Sequence, residues 1–269
     1  MKPQTRQGSD GAILRWIEAG TQPLSGEPLV LFHGVGMRAE AWGPQMRLPG
    51  QVIALDMPGH GGTSGLPEGA LLADYVAWAA GAMASLGLTS ANVAGHSMGA
   101  LVALGLAVSY PEQVRRVALL NGVHRRSAEA RAAVVMRAEA IARGAFDIDT
   151  PLNRWFTPDE ADLRADVASW LSGVDRAGYA AAYRAFALGD DAFADDLGRI
   201  ACPALFLTGA DDPNSTAAWA RALAASAPLG HAVVIDHHRH MVNLTAPDLV
   251  NAALTRWLAT PLAQLERRA

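Results

Sequence analysis

Three stretches of the chain carry residue types that together perform nucleophilic acyl transfer. Gly95-His96-Ser97-Met98-Gly99 sets a hydroxyl between two glycines. A serine hydroxyl is a weak nucleophile, so it needs a base to take its proton and an acid to orient that base. Both residue types occur downstream in the order serine, aspartate, histidine. Thr208-Gly209-Ala210-Asp211-Asp212-Pro213 offers two carboxylates, and Asp236-His237-His238-Arg239-His240-Met241 offers three imidazoles. Residue types alone leave Asp211 and Asp212 open as the acid, and His237, His238 and His240 open as the base.

The elements that must position these groups are legible as short apolar runs, each ending in glycine, aspartate, asparagine or histidine: PLVLFHG, QVIALDMPGHG, NVAGHS, VRRVALLNG, PALFLTGADD and HAVVIDHHRH. Buried runs alternating with helical stretches predict a mostly parallel sheet flanked by helices, an α/β fold. Such sheets place chemistry at the carboxyl ends of their strands. Ser97 falls where a strand becomes a helix, the context that gives G-x-S-x-G a mechanism. A sharp turn there forces the serine into a strained conformation, and its flanking glycines avoid clashes. The helix N-terminus beside it favours the negative charge of acyl transfer.

From about Val123 to Arg199 the strand rhythm stops, and Ala- and Arg-rich helical patterns carry Trp155, Phe156, Trp170, Tyr179, Tyr183 and Phe186. We expect a core made of residues 1–122 and 200–269 and an inserted helical lid, residues 123–199, folded onto it without a flexible linker. The 269 residues are 51% hydrophobic with a formal net charge of −4. That balance, with scattered Lys and Arg, argues against nucleic acid as a partner. No segment offers about 18 uninterrupted apolar residues and the N-terminus lacks a signal-like apolar core, so the expectation is a cytoplasmic protein without a membrane partner. Residues Gly69 to Leu88 read as a buried amphipathic helix, and Cys202, the single cysteine, as a buried structural thiol.

With HGVG, DMPGHG, GHSMG, TGADDP and HMVNLTAP in place, the chain resembles α/β-hydrolase-fold serine hydrolases over nearly its full length. The resemblance implies Ser97 as nucleophile, Asp212 as the acid three residues after the loop glycine, and His240 as the base preceding M-V-N. It also implies an oxyanion hole made by the Val35 and Met98 N–H groups, with His33 bracing that loop and Asp56 and His60 in structural roles. No cofactor is implied, and the histidines lack the further ligands of a metal cluster. Within the lid, RWFT and DRAGY resemble the enol-lactone hydrolases that open 3-oxoadipate enol-lactone. That likeness singles out Trp155 and Tyr179 for substrate binding, with Arg239 as a third residue beside the pocket. Gly34 and Arg239 stand where those lactonases tend to carry serine and a small residue. The expected activity is hydrolysis of a small carboxylic ester or enol-lactone through an acyl-enzyme. Alternatives are carbon–carbon bond hydrolysis of a vinylogous diketone and a non-catalytic small-molecule receptor.

Overall fold

The computed structural model describes residues 2–21 and 26–262. The outer limits of the expected core, Met1 and residues 263–269, lie outside that range. The strands are β1 (Gln4–Gln7), β2 (Ile13–Ala19), β3 (Leu29–Phe32), β4 (Val52–Leu55), β5 (Ala91–His96), β6 (Val114–Leu120), β7 (Ala204–Gly209) and β8 (Gly230–Ile235). They form one sheet in the order β1-β2-β4-β3-β5-β6-β7-β8. From β4 to β8 every pairing is parallel, while β1–β2 and β2–β4 are antiparallel. The six apolar runs become β3 to β8. The antiparallel hairpin β1–β2 is an addition to the expected sheet.

The helices are α1 (Leu72–Ser85), α2 (Met98–Ser109), α3 (Ala128–Ala142), α4 (Asp149–Trp155), α5 (Ala161–Ser172), α6 (Arg176–Leu188), α7 (Ala217–Ser226), α8 (Val242–Thr245) and α9 (Pro247–Leu258). One face of the sheet packs against α1, α2 and α7, and the other against α9 and a 3₁₀ segment, Ala39–Arg47. Every residue of α2 but its last is buried, so this helix is apolar all round, as a helix in the centre of a large core must be. On α9 the buried set Val250, Ala253, Leu254 and Trp257 follows helical spacing and leaves a polar face to water. Expected between Gly69 and Leu88, α1 occupies the middle of that range.

Between β6 and β7 the described chain is helical, with α3 to α6 and no strand. Several contacts tie this segment down. A Cβ on Gly59 would fall 2.5 Å from Gly178 Cα at the start of α6, so the two backbones touch. Arg239 Nη1 donates to the carbonyls of Asn153, at 3.2 Å, and Phe156, at 2.8 Å, both at the end of α4. A cation there satisfies carbonyls that the helix leaves unpaired.

Candidate active site

β5 ends at His96, α2 begins at Met98, and Ser97 is the single residue between them. Its φ of 55° and ψ of −114° lie where non-glycine residues rarely sit. The surroundings impose this conformation: Ser97 N–H donates to Leu120 O at 2.9 Å, and side chains at Gly95 or Gly99 would collide with the backbones of Gly99 and Phe32. The turn thus presents Ser97 at the carboxyl edge of the sheet.

β7 and β8 deliver the other two groups to the same edge. Asp212 follows β7 and is 2% exposed; His240 follows β8 and is 3% exposed. His240 Nδ1 lies 2.8 Å from Asp212 Oδ2. The same oxygen accepts Asn121 Nδ2–H at 2.8 Å, and Asp212 Oδ1 accepts the Asn214 N–H at 2.8 Å. Burial alone would raise the Asp212 pKa, but His240, Asn121 and Asn214 outweigh it and hold the carboxyl below its usual range. Asp212 is therefore the ionised, acceptor-only partner that fixes the imidazole with Nδ1 as donor. Asp211, by contrast, is exposed, with its N–H on His238 O. His237 is also exposed, and His238 turns its Nδ1 to Thr245 Oγ1 at 2.9 Å.

His240 is held from two further sides. His96 Nε2 lies 2.8 Å from the His240 carbonyl, and the two imidazoles sit 5.0 Å apart. Burial pushes the His96 pKa down to about 3, so this ring stays neutral and donates Nε2–H. The Trp155 indole stacks on His240 with centroids 5.8 Å apart and planes 26° apart.

The His33–Gly36 loop leaves β3 beside Ser97; a Cβ on Gly34 would fall 3.3 Å from Ser97 Cβ. Two neutral histidines brace it. His33 Nδ1 donates to Gly34 O at 2.7 Å while Nε2 accepts the Met57 N–H at 2.9 Å. His60 Nδ1 donates to Pro58 O at 3.0 Å while Nε2 accepts the Gly36 N–H at 2.9 Å. Each ring is one donor and one acceptor, the neutral tautomer. Burial accordingly drives His33 well below its ordinary pKa and His60 down to about 4. Asp56 is equally structural, pairing with Arg15 and accepting the Ala39 N–H. Among the described residues, the N–H groups of Val35 and Met98 have no acceptor.

The residues expected from the lid fall in different places. Trp155 is half-buried against His240. Tyr179 is 5% exposed and packs edge-to-face on Phe146, with its ring close to Gly36. Arg239, expected beside the pocket, spends its guanidinium on α4. Asn121 escaped the sequence reading. It is fully buried with φ 48°, a conformation that asparagine tolerates better than most residues, and this position immediately after a strand was its one visible signal.

A mostly parallel sheet flanked by helices, with a strained serine at a strand-to-helix turn, is the architecture of the alpha/beta hydrolase class. The chain belongs to the alpha/beta hydrolase family, whose model matches residues 29–253. It is similar to the (E)-2-((N-methylformamido)methylene)succinate hydrolase of Acinetobacter baylyi, at 49% identity over 97% of this chain and 99% of that one. In structure it is similar to an enol-lactonase from Burkholderia xenovorans, with TM-score 0.83, 25% identity and coverage of 93% of this chain and 98% of the other. A hydrolase from Pseudomonas aeruginosa shares the fold at TM-score 0.85 and 24% identity, over 96% of this chain and 99% of that one. Among the described residues, no helix is long and apolar enough to cross a membrane.

Proposed function

We propose that the protein is a serine hydrolase that cleaves a small, carboxylate-bearing enamide or enol ester by acyl transfer. Its similarity to the Acinetobacter succinate hydrolase along almost the whole of both chains carries this reading. In the substrate that relative is named for, the formamide nitrogen is attached to a carbon–carbon double bond conjugated with a carboxylate. Delocalisation of the nitrogen lone pair into that system weakens the amide and leaves the formyl carbonyl ester-like. An enol-lactone does the same with oxygen, so one machinery serves both.

In this mechanism Ser97 Oγ attacks the acyl carbonyl while His240 Nε2 takes its proton. The Val35 and Met98 N–H groups hold the oxyanion, and Asp212 stabilises the imidazolium without taking a proton. The carbon–nitrogen or carbon–oxygen bond then breaks and His240 returns the proton to the leaving atom. Water, deprotonated by His240, attacks the acyl-serine; the acid departs and Ser97 regains its proton. Residues 123–199 act as the lid that selects the acyl donor, with Trp155 against the reacting centre.

The test is to incubate the protein with (E)-2-((N-methylformamido)methylene)succinate, 3-oxoadipate enol-lactone and a vinylogous diketone, following chromophore loss and released formate. Turnover of the enamide with one formate per molecule is expected. Turnover of the diketone alone would transfer the same residues to carbon–carbon cleavage, and inertness towards all three would overturn the reading.

A further inference from the structure

Between β6 and β7 several arginines gather near one tyrosine, and two of them lack a carboxylate partner among the described residues. Tyr183 lies on α6, with its ring centroid 5.8 Å from Tyr179 and 5.8 Å from Phe186. Tyr179 in turn reaches Gly36 in the loop beside Ser97. The guanidinium carbon of Arg137 stands 5.8 Å from the Tyr183 ring, and that of Arg126 4.4 Å from the Phe186 ring. Burial raises the Tyr183 pKa, and the charges of Arg137, Arg126 and Arg154 oppose that rise. Arg154 immediately precedes Trp155, the residue stacked on His240. Tyr183 thus packs through Tyr179 towards the Gly36 loop, while Arg154 adjoins the tryptophan that stacks on His240.

The partners of these arginines neutralise them only in part. Arg137 Nη2 donates to a backbone carbonyl, that of Asp147, and the Asp147 carboxylate is engaged by the N–H groups of Asp149 and Thr150. Arg154 Nη1 reaches only the amide oxygen of Asn214, at 3.5 Å. Among the described residues neither has a carboxylate partner. Arg126 does pair with one, Asp190, at 3.2 Å, but Asp190 also faces Arg131 at 3.3 Å. The Arg126 side chain is 6% exposed, yet among the described residues its Nη2 has no partner. A buried guanidinium nitrogen left unpaired is costly, and a bound anion would relieve it.

We propose that Tyr183, with Arg126, Arg137 and Arg154 around it, forms the subsite that takes a carboxylate of the substrate, at a distance from the acyl carbonyl held by Ser97. This deepens the function proposed above and rests on that reading of a carboxylate-bearing substrate. A phenol and guanidinium groups provide donors only to an anion, and planar carboxylates match the guanidinium fork. The subsite would hold the remote end of the molecule, leaving the acyl end to the strained serine.

The experiment uses p-nitrophenyl acetate as reporter, succinate as the dianionic probe and succinamide as its neutral isostere. A fluorophosphonate titration of Ser97 counts competent molecules in each preparation. Succinate is expected to compete with the reporter and succinamide is not. Tyr183→Phe, Arg137→Gln and Arg154→Gln should each weaken succinate by about tenfold. Arg143→Gln, which removes an exposed lid charge paired with Glu139, should leave succinate inhibition as it was. Equal inhibition by succinamide, or unchanged succinate inhibition in all three subsite variants, overturns the subsite. Loss of inhibition in Arg143→Gln to the same degree also overturns it, because the effect would then be the general charge of the lid. Succinate inhibition that the subsite variants abolish, in a protein inert towards the enamide, would keep the subsite and reject the proposed function.

Discussion

The indole of Trp155 lies over the imidazole of His240, 5.8 Å between centroids and 26° from parallel. A residue of the helical segment between β6 and β7 thus lies directly against His240, so the packing of that segment bears on the orientation of the imidazole. Trp155→Ala should raise KM by about tenfold or shift preference among acyl donors, with Ser97 still reactive towards a small fluorophosphonate. Trp155→Phe should restore most of the loss. Steady-state kinetics beside a thermal melt check this; a variant that melts early but has unchanged constants per competent site would make Trp155 a packing residue.

Asn121 and His240 donate to the same oxygen of Asp212, each at 2.8 Å. Replacing Asn121 by Ala removes one of the groups that keep the Asp212 pKa low, so the carboxyl titrates at higher pH and its charge bears more heavily on His240. Both effects move the acid limb of the kcat/KM profile upward. We expect that shift together with a loss of about 10²-fold in kcat. A pH–rate profile displaced the other way, or one that does not move while kcat falls, contradicts a positioning role for Asn121.

Ser97→Ala and His240→Ala should each cost on the order of 10⁶ in kcat, and the double variant no more than either, because the groups act as a unit. Asp212→Asn should be severe and Asp211→Asn mild, since Asp212 is buried on the imidazole and Asp211 is exposed. Kinetics on the five variants decide it; the opposite order for the two aspartates would move the acid by one residue.

Acid should unfold the protein early. His33, His60 and His96 are buried and neutral, with His60 at about 4 and His96 at about 3, below the ordinary 6.5. Between those values the unfolded chain binds protons that the native state refuses, so stability is present above pH 6.5 and is lost as pH falls towards the native values. Each histidine contributes a slope of up to about 1.4 kcal/mol per pH unit. Denaturant titrations at pH 7, 6 and 5 should show a steady fall, and His60→Asn should flatten it. Equal stability at all three would refute the assignment.

How far the sequence reveals this site depends on the range of the interaction. The strands β3 to β8 are visible because each is a buried run with its chemistry at the carboxyl end. β1 is hidden because all of its residues are exposed. β2 is hidden because it carries Arg15, buried only through its pairing with Asp56 and Glu40, far along the chain. Neighbouring carboxylates such as Asp211 and Asp212 look alike in a sequence, since the turn after β7 decides which one points inward. Asn121 acts on a residue 91 positions away, and Arg239 finds carbonyls 86 and 83 positions away. Contacts of that span follow from packing and have no local signature.

The backbone contact between Gly59 and Gly178 bears on how such enzymes can be recombined. Exchanging the segment between β6 and β7 for one from a relative looks like a matter of two splice points, one after each strand end. The glycine pair adds a third requirement, because any side chain brought to position 178 would push the new helix off the loop after β4. A library of chimeras built on this scaffold should therefore sort by the residue delivered there before it sorts by pocket chemistry. Keeping glycine at that place makes the graft a modular one, so that substrate range can be bred without rebuilding the reaction centre.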